Sequence, residues 1–187
     1  FSKNFKKVSK IITVSETSKK DLLKVFGKGL ESKIRTIHNG VEPTFRVFSK
    51  EECSETLKTF GLVYKSYLIY FGGHTVRKNL GRVIQAYAQL PENLRKQFPF
   101  VVIGEGYWKD WILKRGLEEN VRFLPKLSLG ALTQLVSGAL YSVYPSLYEG
   151  FGLPVLESLR SGTMPLVSDT PSSRELLGPD FEIFNPY

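Results

Sequence analysis

Short apolar runs alternate with amphipathic stretches along nearly the whole chain, the signature of strands followed by helices. "KIITVS" at 10–15 predicts a strand, with Ser15 or Thr17 capping a helix that runs through Val25 and Phe26 and stops at Gly27. "KIRTIHNG" at 33–40 predicts a second strand closed by an Asn-Gly turn. Ser49 and Glu52 stand at capping-box spacing, opening a helix toward Phe60 and Gly61. Strand-helix pairs then repeat: "YLIYFG" leads to a helix from 79 to about 90, "FVVIG" to one near 109–115, "VRFLP" to one opening at Ser128, and "LYSVYP" to one through Leu156 and Ser161. "MPLVSD" and a short helix around 172–177 complete the series. Runs such as Val101-Val102-Ile103 are apolar without interruption, as strands covered on both faces require. The expected fold is therefore α/β, a doubly wound, Rossmann-like parallel sheet.

In such sheets ligands bind beyond the carboxyl ends of the strands, which directs attention to "GGHTVRKN", "GEGY", "PKLS" and "PSLYEGFG". In the last, Gly150 and Gly152 let backbone amides approach a ligand, and Pro154 suits the first turn of a helix. The helix start offers free amides and a positive dipole end to an anion such as phosphate. Glu149 and Glu157 would repel that phosphate, so they are better suited to accept hydrogen bonds from hydroxyls. Phosphate flanked by hydroxyl-rich groups describes a nucleoside diphosphate sugar. Arg77 and Lys78, directly after the "YLIYFGG" strand, supply cations for its diphosphate, with His74 a weaker candidate. No metal site is expected: there is no D-x-D pair, and His38 and His74 lie far apart with Cys53 the one cysteine.

Composition adjusts the picture in a few places. At 187 residues, with 42% hydrophobic and 24% charged, the chain suits one sizeable core. The net charge of +8 lies wholly in residues 1–50, which hold 12 Lys and Arg against 4 Asp and Glu, including Lys3, Lys6, Lys7, Lys10, Lys19, Lys20, Lys24 and Lys28. A solvated helix face explains this stretch, and peripheral contact with an anionic membrane is the functional alternative; nucleic acid is disfavoured because no reading motif accompanies the charge. A single cysteine fits a reducing, cytoplasmic compartment. No apolar run approaches the ~20 residues of a membrane span, and the opening Phe1-Ser2-Lys3 does not start a signal peptide. The absence of an initiator Met and the abrupt end at "FEIFNPY" suggest a piece of a larger protein.

With these residues in view, the chain resembles the C-terminal, donor-binding half of glycosyltransferase family 4, retaining enzymes of the two-Rossmann-domain (GT-B) fold. The similarity runs through "IITVSETSKKDL", "IHNGVEPTF", "YFGGHTVRKNLGRVIQAY", "VVIGEGY", "YPSLYEGFGLPVLESLRSG" and "PLVSDTPSSRELLG". The resemblance implies that Glu149 contacts sugar hydroxyls, Glu157 holds the ribose, and Gly150, Phe151, Gly152 and Leu153 present amides to sugar and diphosphate. Arg77 and Lys78 would carry the diphosphate charge next to Gly72 and Gly73. It also implies metal-free transfer with retention from a GDP-, UDP- or dTDP-sugar to a glycan or lipid-linked acceptor. Residues 1–38 would be the crossover from an N-terminal acceptor domain, and 39–187 the donor domain. Many members carry Arg where this chain has Gly73, so Arg77 is expected to supply that guanidinium. A non-catalytic sugar-nucleotide module, or an epimerase or phosphorylase of the same fold, are the competing expectations.

Overall fold

The computed structural model describes residues 7–104 and 108–187; Lys3, Lys6 and most of the "GEGY" loop lie outside them. The first two strands, β1 (Ile11–Thr13) and β2 (Ile34–Thr36), pair in parallel with Ile11 opposite Ile34, and α1 (Glu16–Phe26) connects them through a short 3-10 segment. Ser15, rather than Thr17, caps α1 by accepting from the Ser18 amide at 2.8 Å, and Gly27 ends it at φ 90°.

The remaining strands form a second sheet, the doubly wound parallel sheet expected from the sequence, from which β1 and β2 stand apart. They are β3 (Leu68–Tyr70), β4 (Phe100–Ile103), β5 (Val121–Leu124), β6 (Tyr141–Tyr144) and β7 (Met164–Val167), all parallel in the order β5-β4-β3-β6-β7. The chain winds outward from β3 to β5, then returns to place β6 on the other side of β3. The switch point therefore lies between the carboxyl ends of β3 and β6, where a ligand crevice opens in folds of this kind.

Side-chain alternation explains why the sheet is wound on both faces. Ile69 and Val101 pack with Cys53 and Leu57 of α2 (Lys50–Thr59) and Leu135 and Val136 of α6 (Leu129–Gly138). Tyr70, Phe100 and Val102 point the other way, against Leu80, Ile84 and Tyr87 of α3 (Leu80–Ala88) and Ile112 of α5 (Lys109–Leu113). Ile69, Phe100, Val101, Val102, Ile84 and Leu135 have no exposed surface. The capping box of α2 forms as expected, with Ser49 accepting from the Glu52 amide and Glu52 accepting from the Ser49 amide at 2.7 Å.

Two local expectations fail. Asn39 and Gly40 make no turn: Ile37 extends the β2 pairing by donating to the Thr13 carbonyl at 2.9 Å, and residues 37–42 carry no turn or regular element. A helix absent from the sequence reading, α4 (Glu92–Gln97), follows Pro91 between α3 and β4. It buries no residue, so it leaves no apolar period to detect. The last two helices, α7 (Leu153–Arg160) after β6 and α8 (Pro171–Leu177) after β7, bring the chain back to the switch point.

Candidate functional site

The loops after β3 and β6 are stitched together across the switch point. The Leu147 amide donates to the Arg77 carbonyl at 2.9 Å, and Asn79 Nδ2 donates to the Pro145 carbonyl at 3.2 Å. Asn79 adopts φ 55°, a left-handed conformation that Asn tolerates, and this ends the short 3-10 turn that carries Arg77 and Lys78.

That stitching brings the three predicted reactive side chains into one cluster. Glu149 Oε1 accepts from Lys78 Nζ at 2.6 Å and from Ser146 Oγ at 2.6 Å, while Oε2 accepts from Arg77 Nη1 at 2.8 Å. Arg77 also donates to the Tyr148 carbonyl at 2.6 Å, so its guanidinium fixes the path of the β6 loop as well as its charge. The Lys78 and Glu149 side chains are each 16% exposed, whereas Arg77 is 45% exposed, so Lys78 is the more sheltered cation. Burial pushes the Glu149 carboxyl upward, but hydrogen bonds from Lys78, Ser146 and Arg77 outweigh it and leave its pKa below the ordinary value. Glu149 is therefore an ionised acceptor at neutral pH and has no proton to donate. Two cations around one anion leave the cluster net positive.

Glu157 stands differently. It lies one turn into α7 beyond Leu153, half-buried, and its pKa is raised by burial alone; among the described residues its carboxylate meets no counter-charge. Its acceptor capacity is uncommitted.

Between the two acids, Gly152 takes φ 103° and caps α7, with Leu153 and Pro154 in the first turn. A Cβ at Gly152 would meet Leu176 Cδ1 at 3.3 Å as well as strain the backbone. The amides of Gly150, Phe151, Gly152 and Leu153 donate to no other backbone group among the described residues, leaving an anion-binding helix start. The Gly150 carbonyl accepts from Ser15 Oγ and from Ser18 Oγ, the latter at 3.0 Å, and Phe151 is 6% exposed with its ring centroid 5.5 Å from His38.

On the other rim, Gly73 has φ 79°, and its carbonyl accepts from the Tyr70 hydroxyl. Open space surrounds the position of a Gly73 Cβ, but the dihedral disfavours a side chain there. Arg77, four residues on, places its guanidinium 2.8 Å from Glu149. His74 does not join the cluster: its Nε2 donates to the Ile103 carbonyl at 3.0 Å, tying the β3 loop to the end of β4.

Sequence reasoning missed Ser146, although it stands in the same quoted loop three residues before Glu149. It also missed Ser15, Ser18 and Glu175, whose contacts cross the whole chain. Among the described residues no three His, Cys, Asp or Glu side chains converge as a metal-ligand set, and no helix is long and apolar enough to cross a membrane.

Comparison with known proteins places this geometry in a lineage. The O-antigen chain mannosyltransferase B of Escherichia coli is 32% identical over 173 residues, covering 90% of this chain and 45% of that protein. The serotype-specific mannosyltransferase WbdA of Escherichia coli is 26% identical over 197 residues, covering 98% of this chain and 23% of that protein. This chain thus spans less than half the length of either relative. Among solved structures, Anabaena HepE in complex with UDP-glucose superposes with a TM-score of 0.79 at 21% identity, over 95% of this chain and 50% of that one. The fold is accordingly the Rossmann-like α/β fold of one half of a GT-B glycosyltransferase. The sequence model of the family described as glycosyl transferases group 1 matches residues 58–186, and the chain belongs to that family.

Proposed function

We propose that this chain is the donor-binding part of a retaining, metal-independent hexosyltransferase that takes a mannosyl, glucosyl or rhamnosyl group from a nucleoside diphosphate sugar to a glycan or lipid-linked acceptor. The observation that carries the proposal is the Lys78–Glu149–Arg77 cluster at the β3/β6 switch point, adjoining the unpaired amides at the start of α7. Mannosyl transfer draws support from the names of the relatives. A GDP, UDP or dTDP carrier is compatible with the chemistry of the site.

Each side chain has one part in the reaction. As the glycosidic C–O bond to the diphosphate breaks, negative charge grows on the departing oxygens. Lys78, Arg77 and the amides of residues 150–153 lie ready to stabilise it without reorganising. Glu149, kept ionised by its partners, accepts hydrogen bonds from hydroxyls of the transferred sugar and orients its anomeric carbon. Glu157, with both oxygens uncommitted, accepts from the ribose hydroxyls. The acceptor hydroxyl attacks from the face that the diphosphate leaves and gives its proton to the departing phosphate oxygen, so configuration is retained. On this reading residues 1–38 are the crossover into the donor domain of residues 39–187, and the acceptor is held by a further domain. The lysines of α1 are suited to an anionic membrane at the cytoplasmic face, at ~1 kcal/mol per residue near such a surface.

The test is calorimetric titration of the chain with GDP-, UDP- and dTDP-sugars. Saturable binding of one nucleotide class, weakened in Lys78→Ala, is expected. Binding that is indifferent to both Lys78→Ala and Glu157→Ala would rule the site out.

A further inference from the structure

Glu175, on α8, makes four contacts with residues more than 130 positions earlier in the chain. Its Oε1 accepts from the Glu16 amide at 2.7 Å and from His38 Nε2 at 3.1 Å. Its Oε2 accepts from the Thr17 amide at 2.8 Å and from Thr17 Oγ1 at 2.9 Å. The side chain is 17% exposed. Ser15 satisfies the Ser18 amide, and Glu175 satisfies the Glu16 and Thr17 amides of the same helix start from a distant part of the chain.

What lies on the far side of that helix start is the β6–α7 turn. Ser15 and Ser18, both in the turn that Glu175 holds, donate to the Gly150 carbonyl, and a Cβ on Gly150 would come within 3.3 Å of Ser18 Oγ. His38, the third partner residue, lies with its ring against Phe151. Two routes therefore run from one carboxylate to adjacent residues of the turn, one through α1 and one through β2. Glu175 touches neither Gly150 nor Phe151; it bonds Glu16 and Thr17, which lie between Ser15 and Ser18 in the chain, and His38, whose ring meets Phe151.

We infer that Glu175 is a positioning residue that latches the β1–α1–β2 segment to the β6–α7 turn and thereby fixes where the amides of residues 150–153 stand. Its relevance to donor binding rests on the proposed function; the latch itself does not. Any displacement of the amino-terminal segment against the main sheet has to break the bonds to Glu175 and Gly150 together, so the segment's position is read out at the turn.

The experiment is backbone 15N relaxation on the chain and on Glu175→Ala, Glu175→Gln, Ser15→Ala/Ser18→Ala and the combination of the first and third. In the unsubstituted chain, order parameters at Gly150, Phe151 and Gly152 are expected near ~0.85, falling below ~0.6 in Glu175→Ala while Val101 and Val102 stay rigid. Glu175→Gln, which loses one of the two accepting oxygens, should fall between. The serine double variant leaves the His38–Phe151 route intact and should loosen the turn less than Glu175→Ala, and the combined variant should fall short of the sum of the two, because they share the α1 route. The inference is overturned if Glu16 and Thr17 loosen while residues 150–152 keep their original order, in Glu175→Ala or, should that variant fail to fold, in Glu175→Gln. The same samples titrated with GDP- and UDP-sugars should lose about tenfold in affinity as the turn loses preorganisation. No sugar-nucleotide binding by the unsubstituted chain would count against the donor reading, and the relaxation data would still decide the latch.

Discussion

The two carboxylates that flank the Gly-Phe-Gly turn occupy opposite electrostatic surroundings. Glu149, at the end of the β6 loop, receives three hydrogen bonds, two from cations, and its pKa is held down despite burial. Glu157, half-buried on α7, has burial without compensation among the described residues, and its pKa is pushed up. A sequence spacing of E-x7-E makes them look equivalent; the fold makes one a carboxylate paired within the chain, structural as well as sugar-binding in the proposed reaction, and the other an uncommitted acceptor among the described residues. The first stabilises the apposition of two loops. The second costs stability and is suited to a partner from outside the chain.

The largest effect expected from breaking this contrast is in Glu149→Ala. It strands Lys78 and Arg77 without their counter-ion, costing about 2–4 kcal/mol in urea unfolding and on the order of 10²-fold in transfer by the complete protein. Glu157→Gln should do the reverse to stability, leaving it unchanged or raising it by about 1 kcal/mol, while donor affinity falls about tenfold as one ribose acceptor is lost. Lys78→Ala comes next: affinity for a nucleoside diphosphate should drop about tenfold and affinity for the bare nucleoside should hold, because a point charge on the diphosphate is what is removed. Equal losses for both ligands would make Lys78 structural.

Acid separates the two residues by sign. The folded pKa of Glu149 is depressed, so its contribution is complete above the ordinary value of 4.5 and is lost as pH falls through the lower folded value. The folded pKa of Glu157 is raised, so its charge costs stability above that folded value, and the cost is relieved as pH falls through it. Stability profiles of Glu149→Gln and Glu157→Gln should therefore diverge from the parent in opposite directions. The smallest change is expected in Ser146→Ala, about 1 kcal/mol by thermal unfolding, from one hydrogen bond to an already paired carboxylate.

The order of strands and helices was legible because the strands of the main sheet are short, predominantly apolar runs followed by helices, uninterrupted in β3 and β4 and broken by Arg122 in β5 and Ser142 in β6. The loops that follow β3 and β6 could be named for the same reason. The separation of β1 and β2 into their own sheet was not legible, since apolar runs state that a strand is buried and not what it pairs with. Asn39-Gly40 reads as a turn in isolation, yet with Ile37 paired to Thr13 and His38 reaching toward Glu175 the chain makes no turn there. In the site, Glu149, Arg77 and Lys78 were recognisable by type and position, but their mutual pairing was not: the cations assigned to a diphosphate also hold a carboxylate. Glu175 gave no local signal, because every partner it has lies in the first quarter of the chain.

The most direct test of the division between the two acids is thermal unfolding of the chain and of Glu157→Gln, with and without a panel of GDP-, UDP- and dTDP-sugars. The account predicts that one nucleotide class at 100 times its dissociation constant stabilises the parent by ~2.7 kcal/mol, and that Glu157→Gln unfolds no earlier alone yet loses about half of that gain at the same ligand concentration. A variant that is less stable by itself and keeps the full ligand-induced shift would contradict it, placing Glu157 in the structural role assigned to Glu149.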